Sequence, residues 1–209
     1  MRRKILTLCL TVAAAFALTA LSAAAASAAP LFHAESEPVT FKGSSSDNTF
    51  VTKSGTVECA NSSFAGTSAS KTTSTATLAP TYGECTAFGF LGAKVEPHGC
   101  KYTFHLVEGS SPPTATVDVV CEGSNEITIE STGCVVHVPP QTGLKHVVFE
   151  NLGAGKTRTI KAGVTVEGIT YTATSGCINA GTWTTGKYSG TVTISGTNAG
   201  GTQQGIWVE

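Results

Sequence analysis

Cys100-Lys101-Tyr102-Thr103-Phe104-His105-Leu106 and Ala115-Thr116-Val117-Asp118-Val119-Val120-Cys121 are two ribbons of strict alternation. Cys100, Tyr102, Phe104 and Leu106 fall on one side of the first, and Ala115, Val117, Val119 and Cys121 on one side of the second. Successive side chains of a strand point to opposite faces, so a period of two marks a ribbon with one buried face. Between them, Glu108-Gly109-Ser110-Ser111-Pro112-Pro113 has the composition of a loop. Folded as an antiparallel hairpin with Cys100 opposite Cys121, the pair sets Tyr102 by Val119, Phe104 by Val117 and Leu106 by Ala115. One register aligns all four inward pairs, and a slip of one residue would turn one apolar face to solvent. This stretch predicts a hairpin closed by a Cys100–Cys121 disulfide.

The same pattern spreads in both directions. Ile127 and Ile129 alternate with Thr128 and Glu130, and Cys134, Val136 and Val138 with Val135 and His137. Strands are expected over 145–149, 158–162, 164–166 and 169–173, at Thr191–Ser195, and at the closing Ile206-Trp207-Val208. Weaker patterns mark 39–42, 49–53, 56–59 and 73–78. Branched side chains suit a pleated surface, and no stretch after the N-terminal leader carries a 3.6-residue apolar period. Ten to fourteen short strands imply an all-β fold: an antiparallel β-sandwich, a jelly roll or a barrel. Glycine and proline cluster over 89–99, a possible boundary between two subdomains, although neither side has a linker-like run.

Met1-Arg2-Arg3-Lys4, an apolar run from Ile5 to Leu21 and the small residues Ala26-Ser27-Ala28 are the three parts of a secretory signal helix, expected to be cut after Ala28. Cys9 would leave with it. Residues 29–209 then form the secreted domain. Arg2, Arg3 and Lys4 are lost with the leader, leaving 10 basic against 14 acidic residues, a net charge of −4. A mildly acidic chain without basic clusters argues against nucleic acid and anionic membrane as partners. Six cysteines remain, and an even number in an exported chain reads as three disulfides. Spacing alone does not fix the connectivity; proximity suggests Cys59–Cys85 and Cys134–Cys177 beside Cys100–Cys121. No Cys-x-x-Cys occurs and no histidine stands at ligand spacing from a cysteine pair, so no metal and no cofactor are expected.

Gly153-Ala154-Gly155-Lys156-Thr157 looks like the end of a phosphate-binding loop. Glu150 stands where the pattern needs glycine, and the following Arg158–Lys161 reads as a strand, so a hairpin turn is expected. Gly-x-Ser-x-Gly is absent. His105, His137 and His146 fall on outward faces of expected strands, and Asp118, Glu122, Glu126 and Glu130 read as a solvated acidic face. Asn61-Ser62-Ser63, a glycosylation sequon, suggests a surface turn. Trp183, Tyr188 and Trp207, in a Gly- and Thr-rich region, could stack on sugar rings or fill a core.

The alanine-rich leader followed by a Gly/Thr-rich, six-cysteine β-chain is similar in composition to exported β-rich proteins of high-GC Gram-positive bacteria. The likeness covers the whole chain loosely and implies no functional residue. The reading is a non-catalytic secreted or surface-associated β-domain with a structural or binding role. Its alternatives are a carbohydrate- or protein-binding module, including an enzyme inhibitor, with an extracellular glycan or protein as partner, and a secreted hydrolase whose site assembles from distant loops.

Overall fold

Alternating apolar residues become strands throughout the computed structural model, which describes residues 29–209. The leader, its expected helix and Cys9 lie outside the described residues. The strands in chain order are β1 (Phe32–Ala34), β2 (Val39–Ser45), β3 (Asn48–Thr52), β4 (Gly55–Ser68), β5 (Thr72–Thr73) and β6 (Thr75–Ala87). Next come β7 (Leu91–Glu96), β8 (Lys101–Val107), β9 (Thr114–Val120), β10 (Ile127–Ser131), β11 (Cys134–Val138) and β12 (Gln141–Leu152). The last are β13 (Thr159–Ala173), β14 (Gly181–Thr197), β15 (Gln203–Gln204) and β16 (Ile206–Val208). All pairings are antiparallel.

Of the expected architectures, the structure is a barrel. β4, β6, β13 and β14 run its full length. The other staves are each two segments in line: β2 with β3, β7 with β8, β9 with β10, and β11 with β12. Each stave pairs with the next in sequence, and β14 closes the ring by pairing with β2 at Thr193–Thr197 and with β3 at Lys187–Ser189. The result is an eight-stave up-and-down barrel, a closure that leaves no edge exposed around the ring. The 89–99 region holds β7, which pairs on one side with β6 and on the other with β10.

Inside, the barrel has two apolar clusters. Phe41, Phe64, Phe104 and Phe149 dominate one half; Phe50, Ile129, Val136 and Tyr171 belong to the other. Outside, Lys42, Ser44, Ser63, Thr81 and Thr193 are exposed. An apolar interior and a polar exterior reverse the arrangement of a membrane-spanning barrel, whose outer band faces lipid. Among the described residues, no helix is long and apolar enough to cross a membrane.

The two halves meet at a waist where the split staves break. Asn48, the buried first residue of β3, donates from Nδ2 to Ser45 Oγ at 2.9 Å and Ser62 Oγ at 2.6 Å. Its Oδ1 accepts from the Tyr188 hydroxyl. Gln141 sits where β13 changes partner from β12 to β11. It donates to the Thr170 carbonyl at 3.1 Å and accepts from the Thr170 N–H at 2.9 Å. Gln141 thus supplies the backbone with partners that the interrupted ladder no longer provides, while Asn48 ties three side-chain hydroxyls together, as buried polar groups require. The Tyr82 and Tyr102 hydroxyls lie 2.9 Å apart at the same level. Burial, with Tyr102 alongside, pushes the Tyr82 phenol well up. Burial raises Tyr102 to about 12 against the lowering effect of its bond to Tyr82.

Three disulfides staple the fold, Cys59–Cys85, Cys100–Cys121 and Cys134–Cys177. The β8–β9 hairpin has the register Tyr102↔Val119, Phe104↔Val117 and Leu106↔Ala115, and its bridge sits at the waist.

Candidate functional site

The two ends of the barrel differ. At one end β1, β5 and β16 form a small separate sheet that lays Phe32, Ala34, Ile206 and Val208 into the adjoining core. Asn151, near the β12–β13 turn, holds this cap in place. Its Nδ2 donates to the Val208 carbonyl at 2.8 Å and its Oδ1 accepts from the Val208 N–H at 2.9 Å. Phe32 meets Phe149 edge-on at 5.4 Å. This end is closed.

The other end is open. Four connections gather there: the β3–β4 turn (52–55), the β6–β7 loop (88–90), the β10–β11 turn (131–134) and the β13–β14 loop (174–180). They surround a well of about 240 Å³. Its walls include Val57, Ala87, Phe88, Leu91, Val136 and Ile178, and Phe50 and Ile129 separate it from a smaller apolar cavity of about 90 Å³ in the barrel interior. Among the described residues, no charged side chain lines the well. At this end Phe88 is 46% exposed, Phe90 77% and Ile178 72%. Single exposed apolar residues are ordinary, but several at the mouth of an apolar concavity mark a contact surface.

Local chemistry fixes the rim. Gly55 adopts φ +139°, and a Cβ there would overlap the Phe88 ring; glycine is what lets the aromatic ring lie across the β3–β4 turn. Gly176 packs against the Gly133 carbonyl with no room for a side chain, so the two loops touch backbone to backbone beside the Cys134–Cys177 bridge. On the opposite flank, Asn179 Nδ2 donates to the Lys53 carbonyl at 2.7 Å, and Trp183 Nε1 donates to the Asn179 carbonyl at 3.1 Å. Lys53 Nζ lies 3.7 Å from the Trp183 ring centre, a cation–π contact, and the Lys53 N–H donates to the Tyr171 hydroxyl at 2.7 Å. The well is held on a pre-formed frame.

Comparison with protein-family models, curated proteins and solved structures finds no match for this chain. The site therefore rests on its own geometry.

The three aromatic residues singled out for sugar stacking stand apart. Trp183 is half-buried in the latch just described. Tyr188 turns toward the waist, where its hydroxyl bonds Asn48. Burial, with Tyr102 nearby, raises its phenol far above the ordinary range. Trp207 lies on β16 in the cap, stacked on His33 at 5.1 Å with the Arg158 guanidinium 4.9 Å from its ring. They form no common platform.

Two of the outward imidazoles are each paired with a single carboxylate. His105 Nε2 lies 3.0 Å from Asp118 Oδ2, and His137 Nδ1 lies 2.5 Å from Glu126 Oε1. Asp118 also accepts from the Gly143 N–H at 2.7 Å, while Glu122 stands 3.9 Å from Lys101. Among the described residues no group of three His, Cys, Asp or Glu side chains converges as a metal site would need. Gly153–Thr157 is part of the β12–β13 connection, with one 3-10 turn at Gly155–Thr157. Asn61 is exposed in mid-strand on β4, opposite Gly83, rather than in the expected turn. The pattern missed this because Ser62, the middle residue of the sequon, is the buried partner of Asn48.

Proposed function

We propose that this chain is a non-catalytic extracellular binding protein whose ligand site is the apolar well at the open end of the barrel. The carrying observation is the asymmetry of the ends: one is plugged by a dedicated sheet, and the other keeps a well of about 240 Å³ ringed by exposed Phe88 and Ile178. Small-molecule sites are concave, mostly apolar and pre-formed, and barrel mouths are among their preferred places. With no ionisable side chain in its lining, the well offers no general acid or base, which favours holding a molecule over transforming it. Three disulfides fit an extracellular setting, and the leader read from residues 1–28 would deliver the chain there.

Naphthalene is a suitable probe, being apolar, neutral and compact. Titrated into oxidised protein labelled at its methyl groups, it is expected to shift the NMR signals of Val57, Leu91, Val136 and Ile178 saturably. Val147 and Ile206, in the closed half, should stay in place. No saturable shift up to the solubility of naphthalene, or shifts centred on Val147 and Ile206, would refute the site.

A further inference from the structure

We infer that the open end docks on the surface of a zwitterionic lipid bilayer, with Phe88, Phe90 and Ile178 entering the acyl boundary around the mouth of the well; the choice of a bilayer rests in part on the reading of the well as a ligand site. Among the described residues, Phe90 and Ile178 are by a wide margin the most exposed large apolar side chains, and Phe88 shares the loop of Phe90. They stand on two different connections of one end, β6–β7 and β13–β14. Phe88 and Ile178 belong to the wall of the well, whereas Phe90 lies outside its lining. The apolar surface therefore continues from the chamber outward past its mouth.

The charge pattern fits a headgroup layer. The four connections of this end, 52–55, 88–90, 131–134 and 174–180, contain one charged residue, Lys53. It is a cation, and its ammonium lies over the Trp183 ring at the flank of the mouth. Tryptophan and lysine are residues that settle at headgroup level, with an apolar body and a polar tip. The acidic residues all lie elsewhere in the chain, so no carboxylate on these connections repels lipid phosphate. One basic side chain falls short of the cluster that recognition of anionic lipid needs, which makes a zwitterionic surface the matching one. Area separates a bilayer from a protein partner. At roughly 200 Å² for each large side chain, the exposed fractions of the three residues amount to about 400 Å². Stable protein interfaces take about 800 Å² from each partner, whereas a few apolar side chains at the boundary of headgroups and acyl chains suffice for reversible membrane binding. A protein seated on this rim would also stop the mouth of the well. A bilayer instead meets it with acyl chains, the phase in which an apolar ligand dissolves.

Oxidised protein mixed with phosphatidylcholine vesicles should float with them in a density gradient. A spin label on the lipid acyl chains should broaden the amide signals of Gly89, Phe90, Ile178 and Asn179 and leave those of Asn151 and Trp207, at the closed end, sharp. Salt at about 1 M should change the partitioning less than about twofold, because apolar insertion rather than charge carries it. Phe90→Asp should weaken partitioning at least about tenfold, as the loss of one buried aromatic side chain implies. The same variant should keep the parent's melting temperature and naphthalene affinity, since Phe90 is exposed and outside the lining of the well. Failure to float, broadening centred on Asn151 and Trp207, or unchanged partitioning of Phe90→Asp overturns the docking surface. Self-association without vesicle binding, abolished by Phe90→Asp, would assign the rim to a second copy of this chain and overturn the bilayer equally. Naphthalene binding reports on the well in every case, so the two readings fail separately.

Discussion

The closed and open halves of this barrel share four continuous strands yet are stabilised differently. The closed half carries five buried phenylalanines, Phe32, Phe41, Phe64, Phe104 and Phe149, in its core. The open half has Phe50 alone among them, and its core cluster gathers all six cysteines of the disulfides. A half that keeps a chamber of about 240 Å³ cannot gain as much from burial as one whose void is about 90 Å³, because every wall atom facing a void lacks a partner. Cross-links compensate by acting on the unfolded chain rather than on native packing. Where apolar filling stops, sulfur bridges begin.

The largest effect that can break this contrast is reduction. The bridges span 26, 21 and 43 residues, and chain-entropy estimates assign each about 3–4 kcal/mol, not strictly additive. With all three reduced, hydrogen exchange should quicken first at Val95 and Ile129, in the open half, and later at Val147 and Ala162. Simultaneous loss of protection would mean that the halves do not differ in what holds them.

The converse perturbation is Phe149→Ala. Phe149 is 2% exposed and contacts Phe32 at 5.4 Å and Phe104 at 6.3 Å. Truncation of such a buried ring costs about 3–5 kcal/mol. Thermal melting should register that loss, while naphthalene uptake at the far end keeps its affinity. A fall in affinity comparable to the loss of stability would show that the well depends on the packed half.

This division was only half visible in the amino-acid pattern. The Cys100–Cys121 hairpin was legible because two alternations and two cysteines agree on one register. β13 was not: segments 158–162, 164–166 and 169–173 read as three strands but form one, Thr159–Ala173. Ile160, Ala162, Val164 and Val166 face inward on even positions, and Tyr171 and Ala173 on odd ones. The switch occurs at a bulge around Gly168, φ +77°, and a bulge resets the period on which any reading of alternation depends. Similarly, Glu84 at φ +52° interrupts β6 between Pro80 and Cys85. The well was less legible still. Ser54, Phe88, Thr132 and Ile178 come from four separate turns, and only closure of the barrel gathers them. Phe88-Gly89-Phe90, two aromatic residues about a glycine, was the one local signal, masked by the boundary-like composition of 89–99.

A smaller effect tests the waist that joins the halves. Asn48→Ala strands the Tyr188 hydroxyl in a buried setting, leaving Ser62 its bond to the Ser45 carbonyl, and should cost about 1–3 kcal/mol. Combined with Tyr188→Phe, it should cost less than the sum of the two single changes, by a double-mutant cycle in denaturant. Strict additivity would indicate that Asn48 and Tyr188 act independently, and that the halves are not coupled through this bond.

The smallest effect at neutral pH, and the one most specific to the waist, is alkaline. A phenol whose folded pKa exceeds its unfolded value holds its proton more tightly in the native state. Its contribution is therefore fully present below the unfolded value near 10 and is lost as pH rises through the folded one. For Tyr102, raised by burial to about 12, the window runs from about pH 10 to 12 and amounts to roughly 1 kcal/mol by pH 11. Tyr82 and Tyr188 are shifted in the same direction, so all three should resist ionisation together. Tyrosinate absorbance should lag behind that of the urea-unfolded chain, and the missing part should appear in step with loss of near-ultraviolet circular dichroism. Tyr102→Phe should reduce the lag without abolishing it. If the full tyrosinate signal instead rises near pH 10 with the fold intact, water reaches the three phenols, and the waist is an opening between two chambers rather than the seal that separates a packed half from a receptive one.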